Sequence, residues 1–75
     1  HNNEYSKAIQ EFEKTLKINP DHAGTHLNLA ILYHHQKDYR KALEEYEYLL
    51  KLKPDDENAK NNIETLRKFI KQNGN

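Results

Sequence analysis

The sequence repeats itself with a period of 34 residues, and this repeat constrains the fold more than any other feature. When residues 1–22 are aligned with residues 35–56, ten of the 22 positions are identical, which is far more than chance gives. The identical pairs include the two prolines, Pro20 and Pro54. A period of this length is typical of folds in which each supersecondary unit covers only its neighbours.

The apolar residues inside the repeated unit follow the spacing of an α-helix. Ala42, Tyr46 and Leu50 recur at intervals of four residues, and glycine and β-branched residues are scarce. Stop and start signals divide the pattern, because the residue before Pro54 avoids the helical region and Asp38 can cap the helix that follows it. The pattern predicts four helices, at about residues 4–18, 22–36, 39–52 and 56–72, with Asp21 or His22 and Asp55 or Asp56 as further caps.

The composition favours a thin core over a deep pocket. The 75 residues allow one small domain, in which apolar residues make up 35% and charged residues 32% of the chain. This apolar content is too low for several packed layers around a cavity, but stacked repeats need no more, since each unit covers only its neighbours.

A helix–turn–helix unit of 34 residues with these landmarks resembles the tetratricopeptide repeat. Placing Pro54 at its position in that motif makes residues 23–56 a complete unit, and the other landmarks then fit the family pattern. These landmarks are Leu29, Ala30, Tyr33, Ala42 and Tyr46. The resemblance implies an all-α fold, in which antiparallel helix–turn–helix repeats stack as a short right-handed solenoid of about four helices. Residues 1–22 would be the second helix of a preceding unit, and residues 57–75 a C-terminal capping helix and tail.

Four residues depart from the family pattern. His26 stands where the family often has tryptophan, and Leu49 and Thr15 stand where alanine is usual. Lys37 stands in the turn position where glycine is common, so we expect mild strain or a different geometry in that turn.

The resemblance also implies a function in protein–protein interaction, since the first helices of successive units line a concave groove in this family. The groove would bind a peptide or a helix of a partner protein. Its residues would be Leu27, Asn28, Ile31, His34 and His35 from the second predicted helix, and Asn58, Asn61, Asn62, Thr65 and Phe69 from the fourth.

The asparagines carry this prediction, because an amide side chain both donates and accepts hydrogen bonds and can pair with any extended peptide backbone. The alternative, that they are ordinary solvated side chains, stays open. Some family members hold acidic chaperone tails in a carboxylate clamp. Asn28 fits that clamp, but Asn58 and Asn62 stand where it needs basic residues, so we do not expect chaperone binding.

The first predicted helix presents apolar residues that no preceding helix covers. Two explanations compete: the chain is cut from a longer array, or it self-associates through this helix as a homo-oligomer or a domain-swapped dimer. Self-association of this kind is the structural alternative to the groove. The surface in question comprises Ala8, Phe12, Thr15 and Leu16.

Charge and residue usage argue against other classes of function. Twelve basic residues balance twelve acidic ones, whereas a nucleic-acid-binding protein normally has a basic excess. We therefore expect no nucleic-acid partner, and the lack of a long apolar run predicts no membrane partner either. Without cysteine the compartment stays open, and the cytoplasm is only the default expectation.

The sequence also predicts no metal site, no cofactor and no enzymatic activity. Zinc needs three or four converging ligands, but His34 and His35 point about 100° apart on a helix. His22 lies at a helix start, and we expect His26 to pack near a helix crossing. No nucleophile–base motif is present, and with Gly24 and Gly74 as the only glycines there is no phosphate-binding loop.

Overall fold

Residues 2–73 fold into four helices, in the order that the repeat predicts. The computed structural model describes residues 2–73, with side chains described for residues 4–72; residues 1, 74 and 75, including the end of the predicted tail, lie outside the described residues. The predicted all-α architecture is confirmed, and residues 2–73 contain no strand. The helices are α1 (Asn2–Ile18), α2 (Ala23–His35), α3 (Tyr39–Leu52) and α4 (Glu57–Asn73).

Side-chain caps begin three of these helices. Each cap satisfies a backbone N–H that the first turn of a helix leaves without an acceptor. Asp38 caps α3 as predicted, accepting from a backbone N–H at 3.4 Å. Of the alternatives that the sequence left open, His22 caps α2, with its Nδ1 3.1 Å from the backbone nitrogen of Thr25, and Asp56 caps α4 at the same distance from its donor.

The contact between α2 and α3 is the centre of the fold. These two helices form the most extensive helix–helix contact in the described chain, and α1 against α2 the least extensive. Ala30 on α2 and Ala42 on α3 are both 0% exposed. Small buried side chains of this kind let two helix backbones approach each other closely. Larger side chains fill the space around them. The buried core comprises Leu29, Ala30, Tyr33, Ala42, Tyr46, Leu49, Ala59, Ile63 and Leu66.

Helix α4 packs on the other side of α3. Its buried residues Ile63 and Leu66 extend the core, and Arg67 reaches back to Glu47 of α3 with a nitrogen–oxygen distance of 2.8 Å. No Cα atom of α4 lies within 8 Å of one in α2. Each described helix therefore contacts its neighbours along the chain, which is the arrangement of a stacked repeat.

The two buried tyrosines place phenol groups in this core without placing charge there. Burial raises the pKa of Tyr46, and it raises the pKa of Tyr33 with a further contribution from nearby carboxylates such as Glu13 and Glu45. Both phenols are therefore neutral at physiological pH, so the core avoids the cost of desolvating a phenolate.

The turn between α2 and α3 carries backbone strain, as the lysine in place of glycine predicts. Lys37 has a φ of 64°, in the left-handed region that an L side chain disfavours. The N–H of Asp38 donates to the carbonyl oxygen of Tyr33 at 2.8 Å, and the N–H of Lys37 donates to that of His34 at 2.9 Å. These two bonds form a Schellman motif, in which the left-handed position most often belongs to glycine.

We expect the Lys37→Gly variant to be more stable than the wild type by about 0.5 to 1 kcal/mol, because glycine adopts a positive φ without a Cβ clash. Urea unfolding followed by circular dichroism measures the difference. Lys37→Ala is the control, since it removes the same charge but keeps the Cβ. Equal stabilisation by alanine and by glycine would show that the strain at Lys37 has no energetic consequence.

Candidate functional site

The outer face of α2 exposes apolar side chains and no formal charge. Leu27 is 38% exposed and Ile31 is 40% exposed, one helical turn apart, with Asn28 exposed between them. His34 and His35 are exposed at the end of the same helix. From Ala23 to His35 the helix contains no aspartate, glutamate, lysine or arginine. All five groove residues predicted on α2 are therefore accessible to a partner.

An apolar cleft of about 210 Å³ opens between α1 and α2. It brings together residues that the sequence assigned to two separate surfaces: Asn28 and Ile31 from the groove, and Ala8 and Phe12 from the self-association surface. Leu32 completes the lining. The two predicted surfaces therefore meet in one cleft, and an occupant of one would contact the other.

The other two residues of the predicted self-association surface have different surroundings. Leu16 is half-buried and packs against the core. The hydroxyl of Thr15, also half-buried, donates to the carbonyl oxygen of Glu11, one turn earlier on α1, at 3.2 Å. Neither residue lines the cleft.

The groove residues predicted on α4 lie apart from those on α2. Asn58, Asn61 and Thr65 are exposed and Asn62 is half-buried. No Cα atom of α4 lies within 8 Å of a Cα atom of α2, so the two helices that carry these residues are not directly packed on each other. A wall of asparagines shared by the two helices stays a prediction.

Aromatic side chains connect α2 to α4 at one end of the site. The ring of Tyr39, the first residue of α3, lies 4.5 Å from the ring of Phe69 and 5.6 Å from that of His34, measured between centroids. Phe69 is 40% exposed. We call His34, Tyr39 and Phe69 the aromatic cluster; it joins two predicted groove residues from different helices through a residue of the third.

A second cleft, of about 340 Å³, lies between α3 and α4 and differs in chemistry. Its charged residues are already paired: Arg67 with Glu47 at 2.8 Å, and Lys68 with Glu64 at 3.6 Å. An apolar partner segment would lie against charged side chains in this cleft, so the uncharged cleft beside α2 suits it better. The lining of this second cleft comprises Leu50, Lys60, Ile63, Glu64, Arg67 and Lys68.

The buried histidine of α2 fixes this helix to the loop before it and to α3. His26 Nδ1 lies 2.6 Å from a carboxylate oxygen of Glu45, and Nε2 lies 2.7 Å from the carbonyl oxygen of Pro20. The ring stacks on Tyr48 with 4.1 Å between centroids. Tyr48 in turn donates to Asp21 at 2.8 Å, and this hydrogen bond is the main cause of the raised pKa of its phenol.

Both ring nitrogens of His26 have partners, so the buried ring costs little desolvation energy. The carbonyl oxygen of Pro20 can only accept, and Nε2 therefore donates. The side chains described here contain no buried polar atom without a partner.

Two of the histidines have structural roles. His22 caps α2, and His26 is bound to Glu45 and Pro20. Within residues 2–73 no group of three or more histidine, aspartate or glutamate side chains has the arrangement needed to hold a metal ion.

Sequence reasoning missed two residues of the site. Leu32 has the helical spacing of the buried residues Leu29 and Tyr33, and this spacing does not indicate that its side chain also reaches the cleft. Tyr39 had a usable signal, because it is identical to Tyr5 in the preceding repeat. The contacts of His26 have no signal in the sequence, since its partner Glu45 lies 19 residues away along the chain.

Comparison with known families decides what this scaffold is. The family model of the tetratricopeptide repeat matches residues 1–62. The chain belongs to the tetratricopeptide repeat family. Members of this family are generally protein–protein interaction modules, and such repeats are typically non-catalytic. No curated protein matches the chain. None of the helices between residues 2 and 73 is long and apolar enough to cross a membrane.

We expect His26→Ala to lower the free energy of unfolding by about 2 to 3 kcal/mol, because it removes a buried ring and leaves Glu45 and the Pro20 carbonyl without their partner. Urea unfolding measures the loss. His35→Ala, at an exposed position of the same helix, is the control and should change stability by less than about 0.5 kcal/mol. Equal effects of the two variants would contradict a structural role for the His26 contacts.

Proposed function

We propose that this tetratricopeptide repeat chain binds a segment of a partner protein along the exposed face of α2. The observation that carries the proposal is that Leu27, Asn28 and Ile31 are all exposed on a helix without formal charge, so that two apolar side chains and an amide are open to a partner. Apolar side chains supply the favourable burial, and the amide supplies hydrogen bonds that orient a peptide backbone.

The ends of the site extend this surface. The aromatic cluster offers flat apolar faces beside the last turn of α2, and aromatic side chains dominate the energetics of many protein interfaces. The groove residues of α4, from Asn58 to Phe69, would form the opposite wall. In this proposal the partner segment runs along α2 and meets the aromatic cluster at one end.

The same proposal assigns the units of the repeat. Residues 23–56 form the complete unit, residues 1–22 the second helix of a preceding unit, and residues 57–75 a C-terminal capping helix and tail. Support comes from the polar outer face of α4. Glu64 and Arg67 lie 34 residues after Ala30 and Tyr33, and both are exposed where their counterparts are buried. Exposed charged side chains at these two positions suit a capping helix that faces water.

Selection from a phage-displayed library of random peptides on the immobilised chain tests this function. We expect binding peptides whose affinity falls by about 5- to 100-fold for Asn28→Ala, because a hydrogen bond to the peptide backbone is lost. Asn62→Ala tests the wall on α4 in the same assay. Gln10→Ala removes an exposed amide from α1 and is the matched control. No enriched peptide, or equal binding by wild type and Asn28→Ala, would refute the proposed groove.

Self-association through α1 is a second candidate function, which the open cleft beside Ala8 and Phe12 favours. Sedimentation velocity over a wide concentration range distinguishes self-association from the groove proposal. The groove proposal predicts a monomer throughout. A dimer that dissociates when Ala8→Glu places a charge at the cleft would favour self-association instead, since an unpaired charge is costly to bury in an interface.

A further inference from the structure

The turn between α2 and α3 is short, strained and close to helical. It consists of three residues, Gln36, Lys37 and Asp38. Gln36 already lies in the right-handed helical region, with a φ of −79° and a ψ of −1°. Only Lys37, with its φ of 64°, and Asp38, with its ψ of 76°, depart from that region. A change of backbone conformation at two residues would therefore join α2 and α3 into one continuous helix.

The sequence is compatible with such a continuous helix. From Thr25 to Leu52 the chain contains no glycine and no proline, and glutamine and lysine are good helix formers. Joining the helices would take Lys37 out of the left-handed region. It would also give helical partners to the C=O groups at the end of α2 and to the N–H groups at the start of α3. The bonds lost would be the two of the turn and the cap from Asp38, which is 3.4 Å long.

A single interface joins the two halves of the described chain. Between Cα atoms within 8 Å, α1 contacts only α2 and α4 contacts only α3, so the α2–α3 contact alone connects the N-terminal half to the C-terminal half. A continuous helix from Ala23 to Leu52 is about 45 Å long and cannot fold back on itself. The buried face of α2 would then need the same face of α3 from another molecule.

We propose that two copies of this chain exchange their C-terminal halves by opening the turn at Lys37. In this dimer α2 and α3 of each copy form one long helix, and each α2 packs on the α3 of the second copy. Each lobe keeps the contacts of the monomer, including that of His26 with Glu45, which now joins two molecules. Short hinge loops under strain favour this type of exchange. The exchange depends neither on the proposed groove nor on the open face of α1.

The exchange has to break the most extensive helix–helix contact of the described chain. A folded monomer that is merely concentrated therefore stays a monomer. The dimer forms when unfolded chains refold at high concentration, because contact between molecules then competes with closure of the turn.

Refolding from urea at micromolar and at millimolar concentration, followed by sedimentation velocity, tests the exchange. We expect monomer after refolding at micromolar concentration and a dimer fraction after refolding at millimolar concentration. Monomer alone in the millimolar sample, for the wild type and for Lys37→Ala, would overturn the inference.

Substitutions at the hinge test the role of Lys37. Lys37→Gly relieves the strain of the closed turn and weakens the continuous helix, whereas Lys37→Ala keeps the strain and strengthens that helix. We expect the dimer yield of the glycine variant to be about fivefold or more below that of the alanine variant. Circular dichroism verifies that both variants fold. Equal yields would contradict a hinge at Lys37.

A distance within one chain distinguishes exchange from ordinary association. The chain has no cysteine, so spin labels can be attached at Gly24→Cys and Lys51→Cys, two exposed positions. In the monomer these helix ends lie close together, because Tyr48 of α3 donates to Asp21, just before α2. The labelled chain is refolded with an excess of unlabelled chain, and the dimer is isolated.

We expect electron–electron double resonance to give a distance of about 40 Å between the two labels in this dimer, as a continuous helix requires. A dimer in which the distance stays as short as in the monomer would overturn the exchange and favour association through α1.

Discussion

The packing of α2 on α3 is the constraint on which the rest of the structure depends. Ala30 on α2 and Ala42 on α3 are both completely buried, and small side chains let two helix backbones approach closely. Tyr33 and Tyr46 belong to the same buried core, and their neutral phenols keep charge out of it. The packing also fixes which face of α2 turns inward, and hence which face is left for a partner.

The unequal contacts along the chain explain where the candidate site lies. Because α2 packs most extensively on α3 and least on α1, its apolar residues are covered on one side and partly open on the other. The contacts of His26 with Pro20 and Glu45 hold the start of α2 in place from both directions. The result is a helix fixed at its start by hydrogen bonds, with a cleft along its less extensive contact.

The sequence predicted the features that depend on local chemistry or on the repeat. Helix ends, the cap at Asp38, the strained turn at Lys37 and the buried pair Ala30 and Ala42 all follow from residue type and spacing. The cleft could not be predicted in this way, because its shape depends on how closely α1 approaches α2. Periodicity assigns a residue such as Leu32 to a helix face, but it does not tell where two faces diverge. The hydrogen bond between Tyr48 and Asp21, which are 27 residues apart, could not be predicted from periodicity either.

The central claim is that partner recognition takes place on α2 and the cleft beside it. Chemical-shift mapping of the ¹⁵N-labelled chain, titrated with a peptide selected on it, tests this claim most directly. The account predicts that the largest amide shifts cluster from Leu27 to His35, with a second group around Ala8 and Phe12 on α1. Shifts that centre instead on the charged cleft between α3 and α4, around Lys60 and Lys68, would contradict it.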